Sequence, residues 1–210
     1  MRTITTEDIQ RMEKFQRVQF ATSLPGAKPI SLIGTTDSSG RTNLAPFSSI
    51  LHLGSEPCLL GMVSRPDAVE RHTMANLMET GAWTINHLHP GILDAAHQCS
   101  ARYPKEISEF AATGLSECFH ADFRAPFVAE SRFRIGLQLE EILPITANAT
   151  QLIVGRVVLV QIADEHLLSH GGVDLAAVEC LASTALDTYF TVQPIARLAH
   201  AKADTAPKRI

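Results

Sequence analysis

The chain is poor in charge, in clustered cations, in paired cysteines and in long apolar runs, and each shortage closes a class of explanation. Charged residues make up 19% of the 210 residues while hydrophobic ones reach 45%, so the composition favours burying a core over staying disordered. Eighteen Lys and Arg against 22 Asp and Glu leave a net charge of -4. No cluster of cations is large enough to neutralise a run of phosphates, and nucleic acid is not an expected partner. Lys202, Lys208 and Arg209 stand in an Ala, Thr and Pro context and read as a flexible, solvated tail over 201–210. The four cysteines, Cys58, Cys99, Cys118 and Cys180, have neither the spacing of a metal-binding pair nor that of a compact disulfide framework, so reduced, mostly buried thiols are expected. No segment nears the ~18 uninterrupted apolar residues of a membrane span, and the start MRTITTEDIQ carries acids where a leader would carry an apolar run. A cytoplasmic chain without membrane contact is the expectation. A P-loop, a dinucleotide-type glycine fingerprint, HExxH and GxSxG are all missing, which removes sequence support for nucleotide hydrolysis, zinc-protease and hydrolase-elbow chemistry.

What is present reads as one domain with strands outnumbering helices. Thr5-Thr6-Glu7-Asp8 followed by Ile9, Met12 and Phe15 predicts a capped amphipathic helix packed on the outside of a sheet, within a lead-in of about 25 residues. Pro29 to Thr36, the turn chemistry of Asp37-Ser38-Ser39-Gly40 and the stretch from Asn43 to Leu53 predict a hairpin whose second strand bulges at Pro46, because proline has no N–H to give a ladder. Cys58 to Val63 suits a buried strand, Ala68 to Thr80 a helix stopped by Gly81, and Trp83 to Leu88 a further strand with Trp83 in the core. Two short helices flank Tyr103-Pro104. Phe133 to Leu143 and Gln151 to Ile162 are the longest β-type runs, joined through Pro144 to Thr150; a helix near Val173 to Thr184 and a strand near Tyr189 end the pattern. Without a βαβ rhythm this is α+β, an antiparallel sheet most economically closed into a barrel with peripheral helices.

Two segments carry chemistry. Ser64 and Arg65 fall at a strand end, with Arg71, Thr73 and Asn76 near the start of a helix, which together outline an anion site: two guanidiniums, hydroxyls and a helix N-terminus. Taken alone, the same residues serve as well on a solvated helix face, with the arginines paired to Asp67 and Glu70. The second segment, Asn43-Leu44-Ala45-Pro46-Phe47-Ser48-Ser49, is a proline-broken strand whose backbone groups are left for a flat, edge-polar ligand, or else an ordinary bulge at a sheet edge. Nine histidines invite a metal, but His87 and His89 lack a third ligand and read as a strand-end pair; no metal is expected.

With those segments in place, and with EPCLLGMVSR, RHTMANLMETGAWTIN, PKEISEFAATGL, APFVAES and LIVGRVV following in order, the chain resembles the flavin reductase-like family, an FMN-binding split β-barrel. The resemblance runs from about Pro29 to Tyr189. It implies that Asn43, Leu44, Ala45, Pro46, Phe47, Ser48 and Ser49 border the isoalloxazine and ribityl chain, and that Ser64, Arg65, Arg71, Thr73 and Asn76 hold the phosphate. It further implies hydride transfer from NADH or NADPH to flavin, a homodimer with flavin near the interface, and room for a paired monooxygenase. Two departures stand out. Arg71-His72-Thr73 occupies the place where the family often has Lys-Asp-Thr, and the Gly-Gly often found before the tyrosine is missing at Tyr189. No side chain is assigned a catalytic role. The alternative function is an FMN-carrying electron-transfer protein without free-flavin reductase activity.

Overall fold

The computed structural model describes residues 1–65, 72–185 and 187–210. In chain order the strands are β1 (Lys28–Pro29), β2 (Ser31–Thr36), β3 (Thr42–Phe47), β4 (Ile50–Ser55), β5 (Cys58–Ser64), β6 (Ala82–His87), β7 (Glu117–Cys118), β8 (Phe127–Val128), β9 (Arg134–Ile145), β10 (Thr150–Gln161), β11 (Leu181–Thr184) and β12 (Thr188–Thr191). The helices are α1 (Thr6–Arg11), α2 (Lys14–Ser23), α3 (His72–Thr80), α4 (Leu93–Gln98) and α5 (Glu109–Thr113). No helix among the described residues is long and apolar enough to cross a membrane.

Seven strands form one antiparallel sheet in the order β3-β2-β6-β9-β10-β5-β4. β3 and β4 lie at opposite edges of that order, yet only Ser48 and Ser49 separate them in the chain. Extended residues advance no more than ~3.6 Å each, so the two edges must meet at this corner. The sheet is therefore a barrel closed at Ser48-Ser49 and split elsewhere. Flanking it are a three-stranded β1-β11-β12 sheet and the β7-β8 pair.

Alternation in the strands divides two cores. Ile33, Trp83, Ile85, Leu137, Met62 and Ile153 fill the barrel, joined by Met74 and Leu77 from α3. On the outside of β2 and β3, Leu32 and Leu44 pack with Ile92, Ala96 and Phe110 of the α4 and α5 region. β2 is buried at every residue because it has a strand on each side and a core on each face. A Cβ added at Gly155 would sit 2.7 Å from Trp83 Cζ2, so the fully buried indole lies against bare backbone of β10.

Four expectations need correction. Pro46 sits in regular register with Leu32, and the chain breaks two residues later; proline fits because β3 is an edge strand. The N-terminal helix has its Thr5/Asp8 capping box but breaks at Met12, and neither α1 nor α2 buries a residue. Residues 173–184 are not a helix. Asp174 Oδ1 accepts from Ala176 and Ala177 N–H, which starts a turn, but Glu179 takes a positive φ of 59° and Val178 and Cys180 dock into the barrel core, releasing Leu181–Thr184 as strand. Of the thiols only Cys99 and Cys180 are buried, Cys58 being exposed and Cys118 intermediate. The C-terminal residues turn back in an exposed hairpin, with Leu198 bridged to Arg209.

Candidate functional site

β3 presents two faces. Asn43, Ala45 and Phe47 stand opposite Thr35, Ile33 and Ser31, whereas Leu44 and Pro46 stand opposite Gly34 and Leu32, and successive residues point to opposite sides of a sheet. The side chain of Leu44 therefore belongs to the outer core, not to the barrel side. Its N–H points off the sheet edge and donates to Glu109 Oε2 at 2.9 Å. Pro46, two residues on, takes the same edge orientation and has no N–H to leave unmet. The edge expected to be free is thus partly taken by α5. Glu109 is buried, and burial pushes its carboxyl above the usual range, opposed by the Leu44 N–H and by the charge of His72.

The corner brings the two sequence segments together. Ser49 Oγ donates to the Val63 carbonyl at 2.9 Å, and Val63 N–H returns to Ser49 Oγ at 3.2 Å. Ser48 and Ser49 are half-buried beside the end of β5, where Ser64 is buried and Arg65 is exposed. Arg71 lies outside the described residues.

Thr73 and Asn76 are not on a solvated helix face, at 5% and 2% exposed. Asn43 Nδ2 donates to Thr73 Oγ1 at 3.0 Å, and Asn76 Nδ2 donates to Thr35 Oγ1 at 3.1 Å. These four side chains tie α3 to the β2-β3 hairpin. The Thr73 hydroxyl accepts there and keeps its own proton to donate. Asn76 Oδ1 is buried without a partner among the described residues, and Asn76 lines a cavity of about 10 Å³ with Asn43, His72 and Glu109, the room of about one water.

Two further residues belong to this end of the barrel. Gln151 of β10 lies directly across from Ser64, and its Oε1 is buried without a partner among the described residues. Glu109 fastens the edge of β3. Neither had a signal of its own in the sequence, since both reach the site through pairings of more than 60 residues' separation. Among the described residues the Ser64 hydroxyl makes only a 3.4 Å contact, to the adjacent Arg65 carbonyl, and Arg65 has no carboxylate partner. A hydroxyl, a guanidinium and a primary amide make a donor set suited to a phosphate monoester. No group of three His, Cys, Asp or Glu side chains among the described residues could hold a metal ion.

The remaining candidates have structural partners. His89 Nδ1 accepts from Gly91 N–H, and its Nε2 meets the Glu130 carbonyl. His87 stacks on Phe133 with ring centroids 4.5 Å apart, and burial pulls its pKa down to about 4. Tyr189 shares a 2.7 Å hydrogen bond with His97 Nδ1, and its phenol is pushed up by burial.

Residues 26–174 match the family described as flavin reductase like domain. An uncharacterized protein of Halalkalibacterium halodurans, BH2278, is 30% identical over 192 residues, which cover 89% of this chain and 90% of that one. Among solved structures, a split-barrel-domain protein of Shewanella frigidimarina, provisionally assigned as a flavin reductase, superposes with a TM-score of 0.92 at 43% identity, covering 96% of this chain and all of that one. Nitrilotriacetate monooxygenase component B of Bacillus cereus shares the fold, with a TM-score of 0.80 at 22% identity over 92% of this chain and 96% of its own.

Proposed function

Because the chain belongs to the flavin reductase-like family, we propose that it is an FMN-binding oxidoreductase that takes a hydride from NADH or NADPH and passes it on through flavin. The observation that carries this reading is the Ser49–Val63 link, which sets the edge strand β3 beside the hydroxyl and guanidinium at the end of β5. Ser64 and Arg65, with Arg71, would hold the FMN phosphate, and Thr73 would add its remaining proton. Ala45 to Ser49 would border the ribityl chain and ring, with the Leu44 and Pro46 carbonyls on the outward edge of the strand. Gln151, across from Ser64, would give its amide to the same end.

A flavin bound there would supply the redox chemistry, two-electron exchange with a nicotinamide, which no side chain of this chain can supply by itself. This chain's residues would orient and neutralise: Arg65 and Arg71 would offset the phosphate charge, and the Asn43–Thr73 and Asn76–Thr35 bonds keep α3 fixed against the β2-β3 hairpin, whose second strand would border the ring. No side chain has to move a proton for the hydride step. The solved structure of component B of a monooxygenase shares the fold, and a paired monooxygenase is the acceptor proposed for the reduced flavin.

The test is to purify the protein, record its visible spectrum, identify any released flavin by mass, and follow NADH and NADPH oxidation with added FMN. A flavin spectrum with turnover of free FMN supports the reading. Bound FMN with no turnover of the free cofactor makes the protein an electron carrier, and failure to bind FMN at all overturns both.

A further inference from the structure

At the other end of β10 lies a cleft of about 580 Å³, lined by Ser131, Arg132 and Arg134 on one side and by residues 160–163 and His166 on the other. Its volume is in the range of small-molecule sites. Gln161, in its wall, is ten residues along the strand from Gln151, so at ~3.3 Å per residue the cleft lies roughly 30 Å from the proposed phosphate site. The two therefore lie at opposite ends of the strand.

The cleft carries an uncompensated cation. Arg132 Nη1 pairs with Glu179, so its charge is met. Arg134 is half-buried and has no carboxylate partner among the described residues; its Nη1 donates only to Cys118 Sγ, and its Nε is buried with no acceptor. Directly across the ladder, Gln161 holds a buried Oε1 with no donor. A rotation that joined these two would satisfy both atoms but bring no negative charge, and a guanidinium withdrawn from water is costly without one. Beyond it Val160, Ile162 and Ala163 contribute apolar atoms to the same space. One unmet positive charge next to an apolar wall matches one anionic head on an apolar body.

We propose that this cleft binds a small organic monocarboxylate, its carboxylate paired with Arg134 and its apolar body laid against Val160, Ile162 and Ala163. The site is separate from the flavin site and does not depend on the functional reading above.

Calorimetric titration of the purified full chain with benzoate and octanoate, against the uncharged benzamide and octanamide, tests it. At least one acid is expected to bind with a Kd below about 1 mM and ~10-fold or more tightly than its amide. Arg134→Gln should abolish the preference for the acid, and Ala163→Trp, which fills the cleft from its exposed rim, should abolish binding even if the first variant does not fold. Arg156→Gln, on the same strand but outside the cleft and paired with Glu140, should leave the acid's affinity unchanged. Absence of binding at about 10 mM, equal binding of acid and amide, retention of affinity in Ala163→Trp, or displacement by an equal concentration of inorganic phosphate would each overturn the proposal.

Discussion

Arg65 is exposed at the end of β5, and Arg71 follows six residues later, so their proposed service to a phosphate can be tested one charge at a time. A charge-assisted hydrogen bond contributes about 1.5–3 kcal/mol, so Arg65→Ala and Arg71→Ala should each weaken FMN binding roughly ten- to hundredfold. Lysine at either position should recover part of the loss, since it keeps the charge but not the fork. Fluorescence titration of FMN decides it, and unchanged affinity in both alanine variants would remove the phosphate assignment. Glu109 acts on the fold itself. Glu109→Ala leaves the Leu44 N–H buried without an acceptor, which costs about 1–3 kcal/mol and should appear as a lower denaturant midpoint. His87 gives the chain a pH signature. Its ring is neutral when folded, with a pKa of about 4 against 6.5 in the open chain, so between those values the unfolded state binds more protons than the folded one. Stability is complete above pH 6.5 and declines as pH falls toward 4, by about 3 kcal/mol at most. A His87→Gln variant should show a flatter melting temperature across that window; an unchanged slope would mean that another group sets it.

Elements defined by local chemistry were legible in the sequence, and elements defined by distant partners were not. The β2-β3 hairpin, the capping box at Thr5 and the two 12-residue strands β9 and β10 are written in turn residues and β-branched runs that need no tertiary context. Pro46 misled because its effect depends on whether its strand lies at an edge, a property of sheet order rather than of the residue. Residues 173–184 misled because a helix-like composition was overruled by docking of Val178 and Cys180 into the barrel and by strand pairing of Leu181–Thr184. The candidate site divides in the same way. Its two segments stood out from their residue types and family order, but the Ser49–Val63 link, Glu109 at the edge of β3 and Gln151 opposite Ser64 arise from folding. Gly34 is a further case. A Cβ there would lie 2.3 Å from the Pro126 carbonyl oxygen and 2.5 Å from Thr84 Oγ1, and Thr84 Oγ1 is itself hydrogen-bonded to that carbonyl at 2.6 Å. Backbone cannot withdraw as a flexible side chain can. Gly34→Ala should therefore destabilise by about 3 kcal/mol, whereas Gly40→Ala, which meets nothing within 4 Å but has a φ of 90°, should act through backbone strain alone, costing about 1 kcal/mol. Equal losses at the two positions, measured by thermal melts, would mean that Gly34 does not need the close approach.

At the scale of the whole molecule the helices cover only part of the barrel. α3, α4 and α5 pack on β2 and β3, and α1 and α2 bury nothing. β4 carries Leu51 and Leu53 and β9 carries Leu143 and Ile145, exposed at 38%, 38%, 40% and 38%. Leu152 stands across from Leu143 in the ladder, and Gly61 leaves room for Leu53 and Leu152 to approach each other over bare backbone, a Cβ there lying 2.9 and 3.1 Å from their Cδ1 atoms. This apolar patch adjoins the end of the sheet that carries Ser64 and Gln151. A patch of this kind on a folded surface is more often a contact than a solvated face. We propose that a second copy covers it, through a self-complementary interface in which the same surface is used twice. Twofold symmetry gives the test its leverage, since each substitution enters the interface two times. Leu143→Glu therefore places two carboxylates in apolar surroundings and should shift a dimer to monomer at micromolar concentration, while the melting temperature at high dilution changes little. Light scattering across a concentration series reads the outcome: a mass near twice the 22.8 kDa of one chain for the unsubstituted protein, and near one chain for the variant. A single-chain mass for both would mean that the patch remains solvated.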